Sequence, residues 1–384
     1  MHCKFYSSIS DIPAALWNGL FDSQNPFVQH AFLLALEESG CVSAHKGWQP
    51  QHMLLMDEDR PLAVMPLYAK NNSYGEFVFD WGWAEAYERH GLNYYPKLVT
   101  AVPFSPVAGP RVGVSADADP REVFAALLKA LHQLADSQLY SSWHLLFPGI
   151  RLQAALLEMK DEGAFLHREA VQFHWFNRAY NSFDDFLATL RSSRRKNLKR
   201  ERRMVEEQGI TVQRKTGPEI SDEEWQGFYR CYMSTYQKRS GHDGYLNRDF
   251  FDRLRETMAA QLMLVVARCD EEIVASSLFL YDGRHLYGRY WGALKDVSCL
   301  HFEACFYQGI EFCIEHGLQK FDPGTQGEHK LMRGFEPVKS ASYHWIANTQ
   351  FRSAIAEFLN HEKRSTDHYQ QQAESFLPYK KDHT

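Results

Sequence analysis

The chain has 384 residues, 45% hydrophobic and 23% charged, with a formal net charge of -6 and a pI near 6.3. That length exceeds what one core usually supports and implies two domains; the composition excludes a disordered chain, and the acidic balance confines any affinity for polyanions to a local patch. Seven cysteines without a Cys-x-x-Cys pair point to a reducing, cytoplasmic compartment, Met1–Asp11 carries no secretory pattern, and no apolar run reaches the roughly 18 residues of a membrane span.

In chain order, His52–Met56 and Pro61–Tyr68 read as a hairpin turning at Asp57-Glu58-Asp59. Glu76–Trp83 (EFVFDWGW) follows as an aromatic strand, and Glu85–Pro120, dense in proline and aromatics, as an ordered inserted loop. Arg121–Ala135 then has the period of an amphipathic helix, and Trp143–Gly149 is a strand ending in Pro-Gly. The same order returns later: a hairpin of Leu262–Arg268 and Ile273–Tyr281, an aromatic strand His285–Trp291, a helix His301–His316, and a strand Lys320–Gly324, again ending in Pro-Gly. Strand–strand–strand–helix–strand, twice, predicts an α/β (α+β) fold of two duplicated lobes, each a mixed central sheet flanked by helices. The expected division is a lobe over 1–170 with the inserted loop 85–120, a lobe over 171–350 that includes a basic helix 184–208, and a C-terminal helix (Thr349–Ser375) and frayed tail over 351–384.

Three segments could carry chemistry. Ser182 before Asp184 and Asp185 marks a helix start and Gly209 its stop. Within it, Arg191–Arg203 (RSSRRKNLKRERR) holds eight Lys/Arg against one Glu. Like charges at i,i+4 cost a few tenths of a kcal/mol per pair, roughly, so something anionic has to offset them. Phosphate on a nucleotide or a tRNA backbone is one partner, with Arg194, Arg195, Lys196, Lys199 and Arg200 as its ligands; carboxylates from elsewhere in the chain are the other.

Phe321–Pro337 (FDPGTQGEHKLMRGFEP) leaves the last core strand and gathers Gln326, Glu328, His329, Lys330 and Arg333 between glycines. Loops at the C-terminal ends of strands are where α/β folds build sites. Glu328 or His329 could take the proton of an attacking ammonium, and Lys330 or Arg333 could hold an acceptor. In Tyr287–Trp291 (YGRYW), Gly288 admits a second backbone, Arg289 is either stacked or ion-paired, and Tyr290 and Trp291 are candidate substrate-lining rings. His301 and Cys305 share a helix face without further ligands at zinc spacing, so no metal is expected. Gly-x-Ser-x-Gly, His-Glu-x-x-His, Walker A and Gly-x-Gly-x-x-Gly are all missing, which removes the main support for hydrolase, zinc protease, P-loop and Rossmann readings.

Several of these segments together resemble the bacterial FemAB-like group of N-acyltransferases of peptidoglycan biosynthesis and recognition. They are Phe77–Trp83, Gly91–Leu98 (GLNYYPKL), Val102–Arg111 (VPFSPVAGPR), Gln172–Trp175 (QFHW), Arg194–Arg203, Tyr287–Gly292 (YGRYWG), His301–Cys305 (HFEAC) and Gly327–Pro337 (GEHKLMRGFEP), and they cover most of the chain. Thr325 stands where that group carries Ala. The resemblance implies two GNAT-like lobes, as in the Fem ligases, which attach amino acids from aminoacyl-tRNA to the amine of a peptidoglycan precursor. It further implies a splayed strand pair, here His285–Trp291 and Lys320–Gly324, whose backbone N–H groups polarise the acyl carbonyl while the amine attacks directly. A basic residue of the turn, Lys330 or Arg333, would hold the acceptor, and no tightly bound cofactor is needed. The pyrophosphate-cradling Arg/Gln-x-x-Gly-x-Gly/Ala of acyl-CoA enzymes is missing from Leu294–Ser298, which tilts the donor toward aminoacyl-tRNA. An acyl-CoA-dependent N-acetyltransferase, or a non-catalytic protein binding a cell-wall precursor on the same fold, stays as an alternative.

Overall fold

A computed structural model describes residues 1–158, 165–241, 244–325 and 327–380, and divides the chain into one unit of residues 1–170 and 339–367 and another of residues 171–338 and 368–384. The first begins with β1 (His2–Tyr6), α1 (Ala14–Phe21), α2 (His30–Glu38), β2 (Trp48–Pro50), β3 (His52–Asp57), β4 (Arg60–Met65) and β5 (Tyr68–Lys70). It continues with α3 (Trp81–Arg89), β6 (Lys97–Thr100), β7 (Gly113–Val114), α4 (Pro120–Gln138), β8 (Ser142–Leu146) and α5 (Ile150–Glu158). After β9 (Leu166–Phe176) come α6 (Phe183–Thr189), α7 (Ser192–Glu207), β10 (Ile210–Thr216), α8 (Asp222–Ser240) and α9 (Arg248–Met258). Then follow β11 (Leu262–Cys269), β12 (Glu272–Tyr281), β13 (His285–Ala293), α10 (Leu300–Phe302), a π turn (Glu303–Tyr307), α11 (Gln308–Glu315), β14 (Lys320–Asp322) and a 3-10 turn (Glu328–Arg333). β15 (Glu336–Ile346) and α12 (Thr349–Ser375) come last.

The duplication is visible at the level of single registers. In the first unit Asp57 faces Arg60, Met56 faces Pro61, and the register then slips by one so that Leu55 faces Ala63. In the second, Cys269 faces Glu272, Arg268 faces Ile273, and the same slip sets Ala267 against Ala275. Both turns place an acidic residue at positive φ, Glu58 and Asp270. A bulge at the same distance from the same turn chemistry is a shared device of the two copies. The later strands repeat as well. β5–β6 is antiparallel, β6–β8 parallel and β8–β15 antiparallel in one unit; β12–β13, β13–β14 and β14–β9 follow the same sequence of directions in the other. The fourth strand of each series comes from chain that follows the other copy: β15 comes after β14, and β9 after β8. For this reason residues 339–350, assigned by sequence to the C-terminal lobe, belong with the first unit.

Three expectations change. EFVFDWGW is no strand: the chain is irregular up to Asp80 and becomes α3 from Trp81. The alternating tryptophans suggested period two, but Trp83 and Tyr87, four apart, are the buried residues, and Ala84, Glu85 and Ala86 favour helix. The third strand of the first copy is β6, inside the segment read as an inserted loop; β7 and most of α3 also fall in that segment. The basic helix is broken after Thr189. Leu190 is extended (ψ 151°) because it bridges Tyr379, Arg191 N–H donates to Pro378 O, and Lys380 N–H donates to Thr189 O. Pro378–Lys380 is thus paired backbone and not a frayed end.

Local choices agree with the layers they feed. α4 starts at Asp119, whose side chain accepts the Arg121 N–H, with Pro120 at the first helical position. It buries Val123, Leu127, Leu131 and Leu134, spaced as one helix face, in a core with Leu55, Leu98, Trp143 and Tyr343. The second core joins Trp175, Val265, Phe279, Leu286, Tyr307 and Phe321. Pro66 interrupts what is a single strand in the other copy, splitting it into β4 and β5 where β12 runs unbroken.

Candidate active site

β13 and β14 lie parallel for three rungs, His285–Lys320, Leu286–Phe321 and Tyr287–Asp322, and then part. Pro323 and Gly324 turn β14 away, while β13 runs on to Ala293. A Cβ on Gly288 would come within 3.3 Å of the Pro323 Cα, so glycine is what lets the departing β14 backbone pass this close to β13. One residue further, Leu278 pairs with Tyr290 and Phe279 with Gly288, which leaves Arg289 as the extra residue of a β-bulge. Bulges re-aim side chains, and this one stands at the mouth of the gap. The β13–β14 ladder ends at the Tyr287–Asp322 rung.

The GEHKLMR turn closes the other flank. Gly327 (φ +107°) and Gly334 (φ +88°) bracket it. Tyr379 Oη donates to Gly334 O at 2.6 Å and pins its end. Lys330 is 2% exposed, and its Nζ donates to Gly324 O at 2.5 Å, which brings the ammonium to the residue where β14 departs. Burial lowers its pKa to about 8, against the opposing pull of Asp322 and with help from Arg289. His329 packs its ring 5.8 Å from His301, 5.6 Å from Phe302 and 5.5 Å from Phe306. Partial burial, then the Arg333 and Lys330 cations, lower its pKa, so it is a neutral imidazole near pH 7.

The remaining sequence candidates separate. Arg333 is fully committed: it donates to Glu201 at 2.7 Å, to Tyr307 Oη at 3.0 Å and to His329 O at 2.7 Å, and lies 3.4 Å over the Phe302 ring. Glu328 is exposed and accepts the Tyr369 hydroxyl at 2.9 Å. Tyr290 is buried against Tyr232 and Phe251, whereas Trp291 meets His301 edge-on at 5.4 Å. Gln326 lies outside the described residues. Arg289, Lys330, His329 and Trp291 are therefore the candidates that this lobe gathers. Sequence reasoning missed Asp322 and His174, buried together with Asp322 Oδ2 3.5 Å from His174 Nε2. The FDPG and QFHW motifs contain them, but nothing local reveals that β9 returns beside β14.

The equivalent gap of the first lobe is filled. β6 and β8 run parallel through Thr100–Leu145, after which Gly109 pairs with Pro148. Gly109 N–H donates to Phe147 O, Gly149 N–H to Gly109 O, and the buried Arg111 donates to Leu146 O at 2.9 Å. The strand pair of the first lobe is thus bridged beyond its last rung.

Compared with known proteins, the sequence matches the FemAB-like family, described as peptidoglycan biosynthesis/recognition, over residues 8–381. The chain belongs to the FemAB-like family. Its fold is that of FemX (TM-score 0.53, 13% identity, 93% of this chain and 100% of the other). A conserved protein of unknown function from Bacteroides thetaiotaomicron is similar as well (TM-score 0.51, 13% identity, 89% and 99%). No curated protein matches the sequence. The repeated α/β lobe of this FemAB-like protein is thus the fold that it shares with FemX. Among the described residues no helix is long and apolar enough to cross a membrane, and no group of three or more His, Cys, Asp or Glu is arranged to hold a metal.

The basic helix of the FemAB-like chain runs beside the GEHKLMR turn: Arg194 Nη1 reaches Met332 Sδ at 3.1 Å, and Glu201 holds Arg333. Carboxylates neutralise part of its charge. Arg202 pairs with Glu303 and Glu311, Lys199 with Asp184 and Arg203 with Glu207. Arg195, Lys196 and Arg200 form no ion pair among the described residues.

A second polar centre is buried in the first lobe. Lys97 donates to Glu76 at 2.8 Å, Asp80 at 2.5 Å and Ser73 at 2.9 Å, and Tyr94 Oη donates to Asp80. Burial disfavours every charge, yet Lys97 holds Asp80 well below the usual carboxylate range, while Glu76 is pushed up to about 7. Behind them His144 on β8 and His344 on β15 face each other, Nδ1 to Nδ1 at 2.6 Å, each bonded through Nε2 to a serine two residues before it, Ser142 and Ser342. This hub fixes the irregular segment Ser73–Asp80 from beneath.

Proposed function

We propose that the protein transfers an acyl or aminoacyl group from an activated donor to an amine, with aminoacyl-tRNA as donor and a peptidoglycan precursor as acceptor. The parting of β13 and β14 at Gly288 and Gly324, with the Lys330 ammonium delivered to that point, is the observation that carries it. Backbone N–H groups of β13 beyond its last rung with β14 polarise the donor's carbonyl. As the amine adds, negative charge grows on the carbonyl oxygen, and a buried ammonium stabilises it more than water would, since the site needs no reorganisation. His329, neutral near pH 7, accepts the proton that the attacking amine loses. The tetrahedral adduct then collapses and expels the donor's oxygen, with no covalent enzyme intermediate.

The donor assignment is supported by Arg195, Lys196 and Arg200, three cations without an ion pair among the described residues on a helix flanking the turn. It is supported too by the entry to α10, where Cys299 in the left-handed region (φ +66°) stands in place of a glycine-rich cradle. Charged tRNA and seven unbridged thiols both fit a cytoplasmic reaction.

Single-turnover transfer tests the reading directly. Charged tRNA with a UDP-linked muropeptide should give labelled product, and acyl-CoA with the same acceptor should not. Product from acyl-CoA alone would overturn the donor assignment. Saturable muropeptide binding without transfer from either donor would make the protein a binding module.

A further inference from the structure

Lys330 is tied to the strand gap by a relay of buried groups in which Gly324 is the link. Asp322 is the last β14 residue paired with β13, opposite Tyr287. Its Oδ1 accepts the Gly324 N–H at 3.0 Å, and Gly324 O accepts Lys330 Nζ at 2.5 Å, so one residue's two backbone groups are held by the carboxylate and the ammonium in turn. Asp322 is 3% exposed, His174 behind it 5% and Lys330 2%, which leaves water unable to supply a counter-charge. Burial works against the Asp322 charge, but His174 and the Gly324 N–H outweigh it and keep the carboxylate ionised. The other groups bearing on Lys330 are Arg289 from the β13 bulge and Cys305 from the π turn. Burial pushes the Cys305 thiol up, so it stays neutral, and Arg289 repels. Asp322 is the one negative charge facing the ammonium among the described residues.

We propose that Asp322 is a positioning residue of the transfer reaction: it keeps Lys330 protonated and, through Gly324, aimed at the open end of the β13–β14 pair, without touching substrate. The proposal rests on the reading of Lys330 as the cation that serves the acyl carbonyl. Its sign is fixed. Removing the carboxylate takes away the negative charge that favours the charged amine, so Lys330 loses its proton at lower pH.

The test uses the full-length protein with lysine labelled at 13Cε, the Lys330 resonance being assigned by its loss in Lys330→Arg. Asp322→Asn should move the Lys330 titration midpoint to lower pH by about one unit, and the alkaline limb of the transfer rate should move down with it. Asp322→Ser, which can still accept the Gly324 N–H but carries no charge, should do the same and serves if the Asn variant does not fold. Asp322→Glu should recover part of the midpoint. A folded Asn or Ser variant with an unmoved Lys330 midpoint overturns the proposal, as does a rate profile that moves while the midpoint stays. Should the wild type transfer nothing from any donor, the functional reading fails, yet the titration still decides the Asp322–Lys330 relay.

Discussion

Arg333 and Glu201 share a salt bridge of 2.7 Å, and it divides the labour of the two cations in the GEHKLMR turn. Tyr307 also donates to Glu201, and the Arg333 guanidinium covers Phe302, so α7, the π turn and the 3-10 turn meet on one side chain. Arg333→Ala strands a largely buried carboxylate and phenol. Its cost is set at about 3 kcal/mol, the lower end for breaking a buried pair, because Glu201 keeps some solvent. A denaturation midpoint unchanged from wild type would show that Arg333 is free to bind substrate after all.

Lys330 has the opposite profile. Lys330→Met removes a buried charge and keeps most of the volume, so the near-UV circular dichroism should stay native. Transfer should fall by roughly 100-fold or more, the usual loss for one oxyanion-stabilising group. The wild-type rate should be bell-shaped, declining above about pH 8 as the Lys330 ammonium loses its proton, and declining on the acid side as His329 gains one. His329→Ala should erase the acid limb. Persistence of that limb in the alanine variant would assign the base elsewhere.

Periodicity and punctuation exposed most of this fold. The hairpins at Asp57–Asp59 and Asp270–Glu272, the helices after Arg121 and His301, and the Pro-Gly strand ends are local signals, written in a few adjacent residues. What stayed hidden is non-local. β6 is a four-residue strand among prolines, its assignment decided by pairing with Tyr68–Lys70 and Trp143–Leu145. The pairing of β9 with β14 and of β15 with β8 is invisible to any window, and with it the His174–Asp322 and His144–His344 pairs. The turn was legible as a cluster, but which cation is buried at the gap and which is clamped depends on Glu201, some 130 residues upstream.

Lys97 makes the first lobe's hub dependent on one ammonium. Lys97→Met leaves Glu76 and Asp80 buried without their cation, a loss of about 3–5 kcal/mol. Adding Asp80→Asn to Lys97→Met should recover part of that cost, since a neutral amide tolerates burial better than an orphan carboxylate. Strict additivity of the two substitutions in chemical denaturation would deny the coupling.

The histidine pair should make the first unit acid-labile. Burial, with Lys97 adding repulsion, holds His144 down at about 3, and His344 is lowered well below the usual imidazole range. Both stay neutral when folded, whereas the unfolded chain protonates them near pH 6.5. Their stabilisation is complete above that pH and is lost as pH falls. Glu76, raised to about 7, acts the other way between its folded and unfolded values. Two imidazoles against one carboxyl leaves a net of one proton, so stability should fall by about 1.4 kcal/mol per pH unit between roughly pH 6.5 and 4.5. Urea midpoints measured across that range check the slope, and His344→Gln should flatten it. A slope of zero in the wild type would mean that the pair protonates without unfolding.

Helix α7 offers a test of the donor that is independent of catalysis. Three cations facing phosphate give a linear fall of log Kobs with log salt, each contact contributing a slope of about 0.7–0.9. Replacing Lys196 or Arg200 with Gln should reduce the slope by about one contact and weaken tRNA binding to a similar degree whatever the tRNA sequence. Neither change should alter the melting temperature, because neither side chain makes an ion pair among the described residues. Arg202→Gln should do the reverse: it breaks the links to Glu303 and Glu311 and costs stability, with little effect on the salt slope. If Arg202→Gln and Arg200→Gln change binding alike, the affinity follows net charge and not a built surface. In that case the helix is solvated ornament beside a site whose donor carries no nucleic acid.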